Sequence, residues 1–176
     1  MNTVFKEFLD AGYAYSFGNG PDVIRTETQA KQEGLNCVAL MHLLIPHLVG
    51  VELPGNLRGW EMYCSNPFFR DVDGVKDMNL GDVLFFGRPT LPEYALQYSP
   101  AYDEHNELTN EEIGNNLIGH RYSGVHLAMN TGEVDDTENP LLIHANKMEG
   151  TVVIWSLAKF LDLKQYSTVH AIKRII

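Results

Sequence analysis

The sequence predicts an α+β domain in which N-terminal helices pack on an antiparallel β-sheet of about five or six strands. Two observations predict it: helical patterns occupy the first part of the chain, and short apolar runs between turn residues follow after Asp77. The length of 176 residues fits a single domain covering 1–176. With 44% hydrophobic residues, such a chain can bury a core without disulfides or structural metals.

Helices are predicted at residues 3–11, 37–45 and 56–70, and residues 12–34 are predicted to form a structured loop rich in Gly, Asn, Asp and Thr. The second segment is apolar nearly all round, which is typical of a buried helix. Asn36 directly precedes it and is a suitable N-cap. Because Pro46 has no N–H to donate, the helix is expected to kink or restart there.

Strands are predicted at residues 81–87, 124–130, 141–145, 151–155 and 168–175. Several of the connections are short and rich in turn residues, which favours antiparallel pairing. Residues 88–122 do not fit this pattern, because they lack clear periodicity and are rich in Pro, Tyr, Asn and Glu. We interpret them as an insertion that acts as a lid or a substrate-binding loop.

The charge balance limits the classes of partner that we expect this protein to bind. Thirteen basic against 23 acidic residues give a formal net charge of −10, which argues against nucleic acids and anionic membranes as partners. No apolar run is long enough for a transmembrane helix. The chain starts without a basic segment and long apolar run, so we expect a cytoplasmic protein. Two cysteines do not make a disulfide framework.

Cys37 is the first candidate for chemistry. It falls in the first turn of a predicted buried helix, where the helix dipole and free N–H groups favour thiolate over thiol. Cysteine is also among the most buried residue types, so simple packing is the alternative.

His126 and His144 strengthen the reactive interpretation. Each falls within an apolar predicted strand, and a buried imidazole needs hydrogen-bond partners. Neighbouring strands lie about 4.8 Å apart, so the two rings could hydrogen-bond if they face the same way. One would then act as base to the thiol and the other would orient it.

Other candidates are weaker. His42 and His47 do not share a helix face, and we expect neither a metal site nor a cofactor. Cys64 is interpreted as a bystander. The insertion contains tyrosines that could pack on the core or line a substrate site: Tyr94, Tyr98, Tyr102 and Tyr122.

Five segments occur in a suggestive order: Tyr15-Ser-Phe-Gly18, Gly34-Leu-Asn-Cys37-Val-Ala-Leu40, Leu80-Gly-Asp-Val-Leu-Phe-Phe86, His126-Leu-Ala-Met-Asn-Thr-Gly132 and Ile143-His-Ala145. This order resembles that of the NlpC-type papain-like cysteine peptidases, from a Tyr-x-aromatic-Gly segment through a Cys helix start to two His strands. The resemblance spans roughly residues 13–175.

The resemblance implies a papain-like fold with Cys37 as nucleophile, His126 as general base and His144 as the orienting residue. It implies that Tyr15 lies near the nucleophile and that the Cys37 amide donates to the oxyanion. The implied reaction is hydrolysis of an amide or isopeptide bond through a thioester, without a cofactor. The family's usual substrates are cell-wall peptides, often cut after γ-D-glutamyl.

The chain departs from the family beside the nucleophile. Asn36 replaces an Asp associated with binding the substrate's free amine, and Val38 replaces a Ser. A neutral side chain loses charge-assisted recognition of an ammonium group. Peptidoglycan specificity is therefore the weakest implication. Two alternatives remain open: a non-catalytic binding or regulatory module on the same fold, and a thiol-dependent acyltransferase or amidase with another substrate.

Overall fold

The computed structural model describes residues 2–16, 24, 26–54, 57, 59–63, 67–89 and 126–176. The helices are α1 (Thr3–Asp10), α2 (Glu27–Glu33), α3 (Cys37–Val49), α4 (Gly59–Tyr63) and α5 (Leu157–Leu161). The strands are β1 (Phe69–Asp71), β2 (Val83–Gly87), β3 (His126–Val134), β4 (Pro140–Asn146), β5 (Thr151–Ser156) and β6 (Thr168–Ile175). The strands form one antiparallel sheet in the order β1-β6-β2-β3-β4-β5, which confirms the α+β class.

Helix α2 corrects the prediction of a loop over 12–34. Thr26 caps it by accepting a hydrogen bond from the Gln29 amide at 3.1 Å. Gly34 ends it with a φ of 70°, and a Cβ there would lie 2.8 Å from the carbonyl oxygen of Ala14. Only glycine allows both this conformation and this close approach. Residues 17–23 and 25 of the predicted loop lie outside the described part of the chain.

Helix α3 begins at Cys37 as predicted, with Asn36 as its N-cap. The expectation of a restart at Pro46 is wrong, because one helix runs through this residue to Val49 and ends at Gly50 in the left-handed conformation. Burial explains it: seven consecutive residues from Ala39 to Ile45 are buried, and packing outweighs the hydrogen bond that proline removes. No helix in the described part of the chain is long and apolar enough to cross a bilayer.

The five predicted strands are present, at slightly different limits, and a sixth was missed. In the segment 56–70, predicted as a helix, the described residues form the short α4 and then β1. Strand β1 consists of three residues and pairs with β6, where Phe69 lies opposite Ile175. Most of the predicted insertion 88–122 falls outside the described residues, which end at Pro89 and resume at His126.

The sheet has a hydrophobic cluster on each face. Every residue of β2 is buried, and its side chains alternate between the two clusters, with Phe85 in one and Phe86 in the other. The first cluster joins the sheet to α1 and α3. The second lies under α5, which was not predicted and contributes Leu157 and Phe160.

An ion pair between a buried carboxylate and a partly exposed guanidinium joins the residue before β2 to β6. Asp82, only 1% exposed, receives hydrogen bonds from Arg174 Nε at 2.8 Å and Arg174 Nη2 at 2.7 Å. The amide of Asn79 donates to the same carboxylate at 2.7 Å. The Gly-Asp segment at the start of β2 therefore serves the architecture, by holding two strands in register.

Candidate active site

Cys37 is the first residue of α3 and is partly exposed. The Asn36 side chain caps the helix, its Oδ1 accepting from the Ala39 amide at 2.8 Å. Cys37 therefore lies at the positive end of a 13-residue helix, where the dipole and the free amides stabilise a thiolate. It is not part of a disulfide.

The two histidines form the hydrogen bond that the sequence predicts. Nε2 of His126, the first residue of β3, lies 2.9 Å from Nδ1 of His144 on β4. The rings meet edge to face, with an interplanar angle of 86°. Because His126 uses Nε2 in this bond, its Nδ1 is the nitrogen with which it can reach a thiol.

Aromatic rings surround the pair. The ring of His144, which is fully buried, lies 4.5 Å from that of Phe160 and 4.7 Å from that of Trp155, centroid to centroid. The half-buried His126 stacks on Tyr166, at 4.7 Å and 26°. This apolar shell leaves the histidines little solvent to stabilise a positive charge.

Burial consequently favours the neutral rings. It lowers the pKa of His126 from 6.5 to about 4. Burial also lowers the pKa of His144 strongly, and the positive charges of His126 and Lys159 lower it further. An isolated pair in this environment is uncharged at neutral pH, so a negative partner is needed to hold a proton on it.

Cys37 and His126 reach the same end of the sheet. The residues that follow them, Val38 and Leu127, both pack on Gly59 of α4. A Cβ placed on Gly59 would lie 3.1 Å from Val38 Cγ2 and 3.0 Å from Leu127 Cδ1. However, α3 packs on one face of the sheet, whereas both histidines contact aromatic rings of the other face. The chain neighbours of Cys37 and His126 thus pack on one glycine, while the side chains of Cys37 and His126 belong to opposite faces of the sheet.

Two tyrosines lie at this end. Burial, followed by the negative charges of Cys37 and of Tyr166, raises the pKa of Tyr15 to about 12. Burial and then Cys37 raise the pKa of Tyr166 as well. Tyr166 is therefore affected by the charge of Cys37, and its ring also stacks on His126.

The charge of Cys37 acts on Tyr15, whose backbone N–H donates a hydrogen bond to the Gly150 carbonyl at 2.7 Å. Asn36 is 4% exposed and its oxygen caps α3. Val38 is half-buried and packs against the core. The substrate-binding roles of Tyr15, Asn36 and Val38 stay predictions, as does the position of Tyr15 beside a nucleophile.

Sequence reasoning missed Tyr166, Phe160, Trp155 and Asn146. Period-2 alternation along β5 could have placed Trp155 on the face of the second cluster. Asn146 follows His144 by two residues and so shares its face of β4, which was a usable signal. Tyr166 lies between α5 and β6 in a polar run with no periodicity, so nothing local marked it.

Comparisons of the chain with protein-family models, with curated proteins and with solved structures give no match. The resemblance to NlpC-type peptidases therefore rests on the five sequence segments and stays a prediction.

Proposed function

We propose that this protein is a cysteine hydrolase, resembling the NlpC-type papain-like peptidases, that cleaves an amide or isopeptide bond with Cys37, His126 and His144. The observation that carries the proposal is the 2.9 Å hydrogen bond between His126 Nε2 and His144 Nδ1. It orients His126 so that Nδ1 is available to a thiol, which is the arrangement of base and orienting residue that nucleophilic catalysis requires.

The first half of the reaction forms an acyl-enzyme. In the tautomer in which His126 donates from Nε2 to His144, Nδ1 of His126 is bare and takes the Cys37 proton, and the sulfur attacks the carbonyl carbon of the scissile bond. The Cys37 backbone N–H, at the start of α3, donates to the resulting oxyanion. When the C–N bond breaks, His126 gives its proton to the nitrogen, so that a free amine and a thioester on Cys37 are formed.

The second half restores the thiol. Neutral His126 takes a proton from a water molecule as the water oxygen attacks the thioester carbon. The C–S bond then breaks, a carboxylic acid leaves, and the proton on His126 is again shared with the sulfur. His144 holds the ring orientation throughout, and Tyr166 covers one face of the His126 ring.

The resemblance points to γ-D-glutamyl bonds of cell-wall peptides as the first substrates to test. The site gives less support to recognition of a free ammonium group, because Asn36 is neutral and its oxygen caps α3. Peptides with a blocked amine therefore belong in the same screen as peptides with a free one.

Turnover by Cys37→Ala tests the proposal. This variant is expected to lose all hydrolysis of any amide substrate that the wild type cleaves. Its melting temperature is expected to change by no more than about two degrees, because the side chain is partly exposed. A Cys64→Ser variant serves as the thiol control and keeps its activity. Retained turnover in Cys37→Ala would contradict the proposal.

One observation favours a second candidate, a binding module that keeps the fold without turnover. The lowered pKa of His126 disfavours an imidazolium partner for the thiolate. A binding module would show a Cys37 thiol that resists alkylation below about pH 8. Transfer of the acyl group to an acceptor other than water uses the same residues, and product analysis with an added amine separates it from hydrolysis.

A further inference from the structure

Asn146 ends β4 beside the histidine pair and has a fixed orientation. Its side chain is 4% exposed, and its Oδ1 accepts hydrogen bonds from the amides of Met148 at 2.7 Å and Glu149 at 3.0 Å. Rotating the carboxamide by 180° would place its NH₂ group against these two N–H donors. The turn therefore holds the oxygen, and the NH₂ group points to the ring of His144.

Asn146 Nδ2 lies 3.5 Å from Nε2 of His144. An amide NH₂ group presents only hydrogens, so it favours a ring nitrogen that carries a lone pair. A neutral histidine with a bare Nε2 has its proton on Nδ1, and Nδ1 of His144 lies 2.9 Å from Nε2 of His126. We propose that Asn146 is a positioning residue that sets this tautomer, in which His144 donates to His126, and thereby holds the histidine pair uncharged at rest.

In this resting tautomer neutral His126 carries its proton on Nδ1, so it can take the Cys37 proton only after the pair has shifted to the tautomer in which His126 donates from Nε2 to His144. To carry a second proton, His126 must bear one on Nε2 and donate it to Nδ1 of His144. The proton of His144 then moves to Nε2, where it faces the NH₂ group of Asn146. Two buried donors that face each other are unfavourable in a low-dielectric interior. The consequence for Cys37 rests on the proposed function: Asn146 limits the fraction of thiolate that His126 can stabilise.

Other charged and titratable groups surround the pair, and the variants must leave them in place. Lys159 on α5 lies 3.5 Å from Glu149 of the β4–β5 turn and 3.8 Å above the ring of Trp155, which in turn packs on His144. Tyr166 stacks on His126, and the charges of Cys37 and Tyr166 act on Tyr15. A change confined to the Asn146 amide alters none of these side chains.

The tautomer can be read in the wild type by long-range ¹H–¹⁵N correlation spectra of protein labelled on histidine, with His144 assigned from a His144→Gln variant. The proposal predicts a protonated Nδ1 and a bare Nε2 for His144. A proton on Nε2 of His144 overturns the proposal, whatever the activity of the protein.

Asn146→Asp then tests the mechanism. The variant keeps an oxygen for the two turn amides and replaces the NH₂ group by an acceptor, so the His144 proton is expected to move to Nε2. The apparent pKa of the Cys37 thiol is expected to fall by about one unit, which speeds alkylation at low pH about tenfold. An unchanged tautomer overturns the proposal.

Asn130→Asp is the matched control. Asn130 is 5% exposed on neighbouring β3, and its oxygen likewise accepts from a backbone amide, that of Gly132 at 3.2 Å. The same charge change there should leave the tautomer and the thiol unaltered, and an equal response in both variants overturns the proposal. If Asn146→Asp does not fold, Asn146→Ser removes the NH₂ group instead. An unchanged His144 tautomer in Asn146→Ser also overturns the proposal.

The two proposals fail separately. A tautomer that moves in Asn146→Asp without any change at Cys37 supports the role of Asn146 and contradicts the coupling between His126 and the thiol. A tautomer that does not move contradicts the role of Asn146 and leaves the hydrolase to be judged by turnover.

Discussion

The neutral histidine pair makes the stability of the protein depend on pH. Burial lowers the pKa of His126 from 6.5 to about 4 in the folded state. Below pH 6.5 the unfolded chain therefore carries one more proton on Cys37 and His126 together than the folded chain, until the folded pair takes up a second proton at about pH 4. Stability is complete above pH 6.5 and is lost as the pH falls through this window.

The size of this loss of stability follows from the uptake of one proton on unfolding. Between pH 6.5 and 4, uptake of a proton on unfolding at His126 lowers the free energy of unfolding by about 1.4 kcal/mol per pH unit, or about 3 kcal/mol in total. His144 is buried and its pKa is lowered as well, so it adds a similar dependence of its own. The contribution of His126 is therefore obtained as a difference between two proteins.

Urea unfolding of the wild type and of His126→Gln, from pH 7.5 to pH 4, measures that difference. Carboxylates and His144 titrate in both proteins, so they largely cancel. We expect the wild-type free energy of unfolding to fall more steeply than that of the variant, by about 1.4 kcal/mol per pH unit below pH 6. If the free energies of unfolding of the two proteins fell in parallel, folded His126 would take up protons normally, which would contradict a lowering of its pKa by burial.

Three further predictions concern the site and its support. Tyr166→Leu removes the ring stacked on His126 and should lower kcat/KM about fivefold, the equivalent of about 1 kcal/mol of stacking. Tyr166→Phe keeps the ring and should leave kcat/KM unchanged. Equal losses in the two variants would contradict a stacking role for Tyr166. In Cys37→Ala, ultraviolet titration should give Tyr15 a lower pKa than its wild-type value of about 12, because the charge of Cys37 contributes to raising it; an unchanged value would place the thiol farther away. Asp82→Asn should lower the free energy of unfolding by about 2 kcal/mol, because it weakens the charge-assisted hydrogen bonds that the buried Asp82 carboxylate accepts from Arg174 and the Asn79 amide. In Glu149→Gln, which alters the exposed pair with Lys159, the change should stay below about 1 kcal/mol, and similar values for Asp82→Asn and Glu149→Gln would contradict the ranking.

The sequence was most informative where the pattern and the packing agree. The apolar run after Asn36 predicts α3 and places Cys37 at its start, because the N-cap and the buried helix are both local signals. The pairing of His126 with His144 also follows from local patterns, since each lies in a short apolar strand and consecutive strands pair.

What the sequence did not predict depends on distant contacts. Strand β1 has only three residues and exists through its pairing with β6, about a hundred residues later. Helix α2 buries only Ala30, so its periodicity is weak. Helix α3 continues through Pro46 because its packing outweighs the local signal.

The same reason applies within the site. Tyr166 reaches His126 through the return of the chain from α5 to β6, which no local pattern records. The orientation of Asn146 is set by the two amides of the β4–β5 turn. The places of Tyr166 and Asn146 in the site could be recognised only from tertiary contacts.

The central claim, that Cys37 and His126 act together, is tested most directly by the pH dependence of iodoacetamide alkylation. The measurement compares His126→Ala with the unchanged histidine, both in a Cys64→Ser background so that Cys37 is the reacting thiol. We predict an apparent pKa for Cys37 below the ordinary value of about 8.5, and a rise of that pKa in His126→Ala. A thiol with an ordinary pKa, or one that is unreactive and indifferent to His126, would contradict the account.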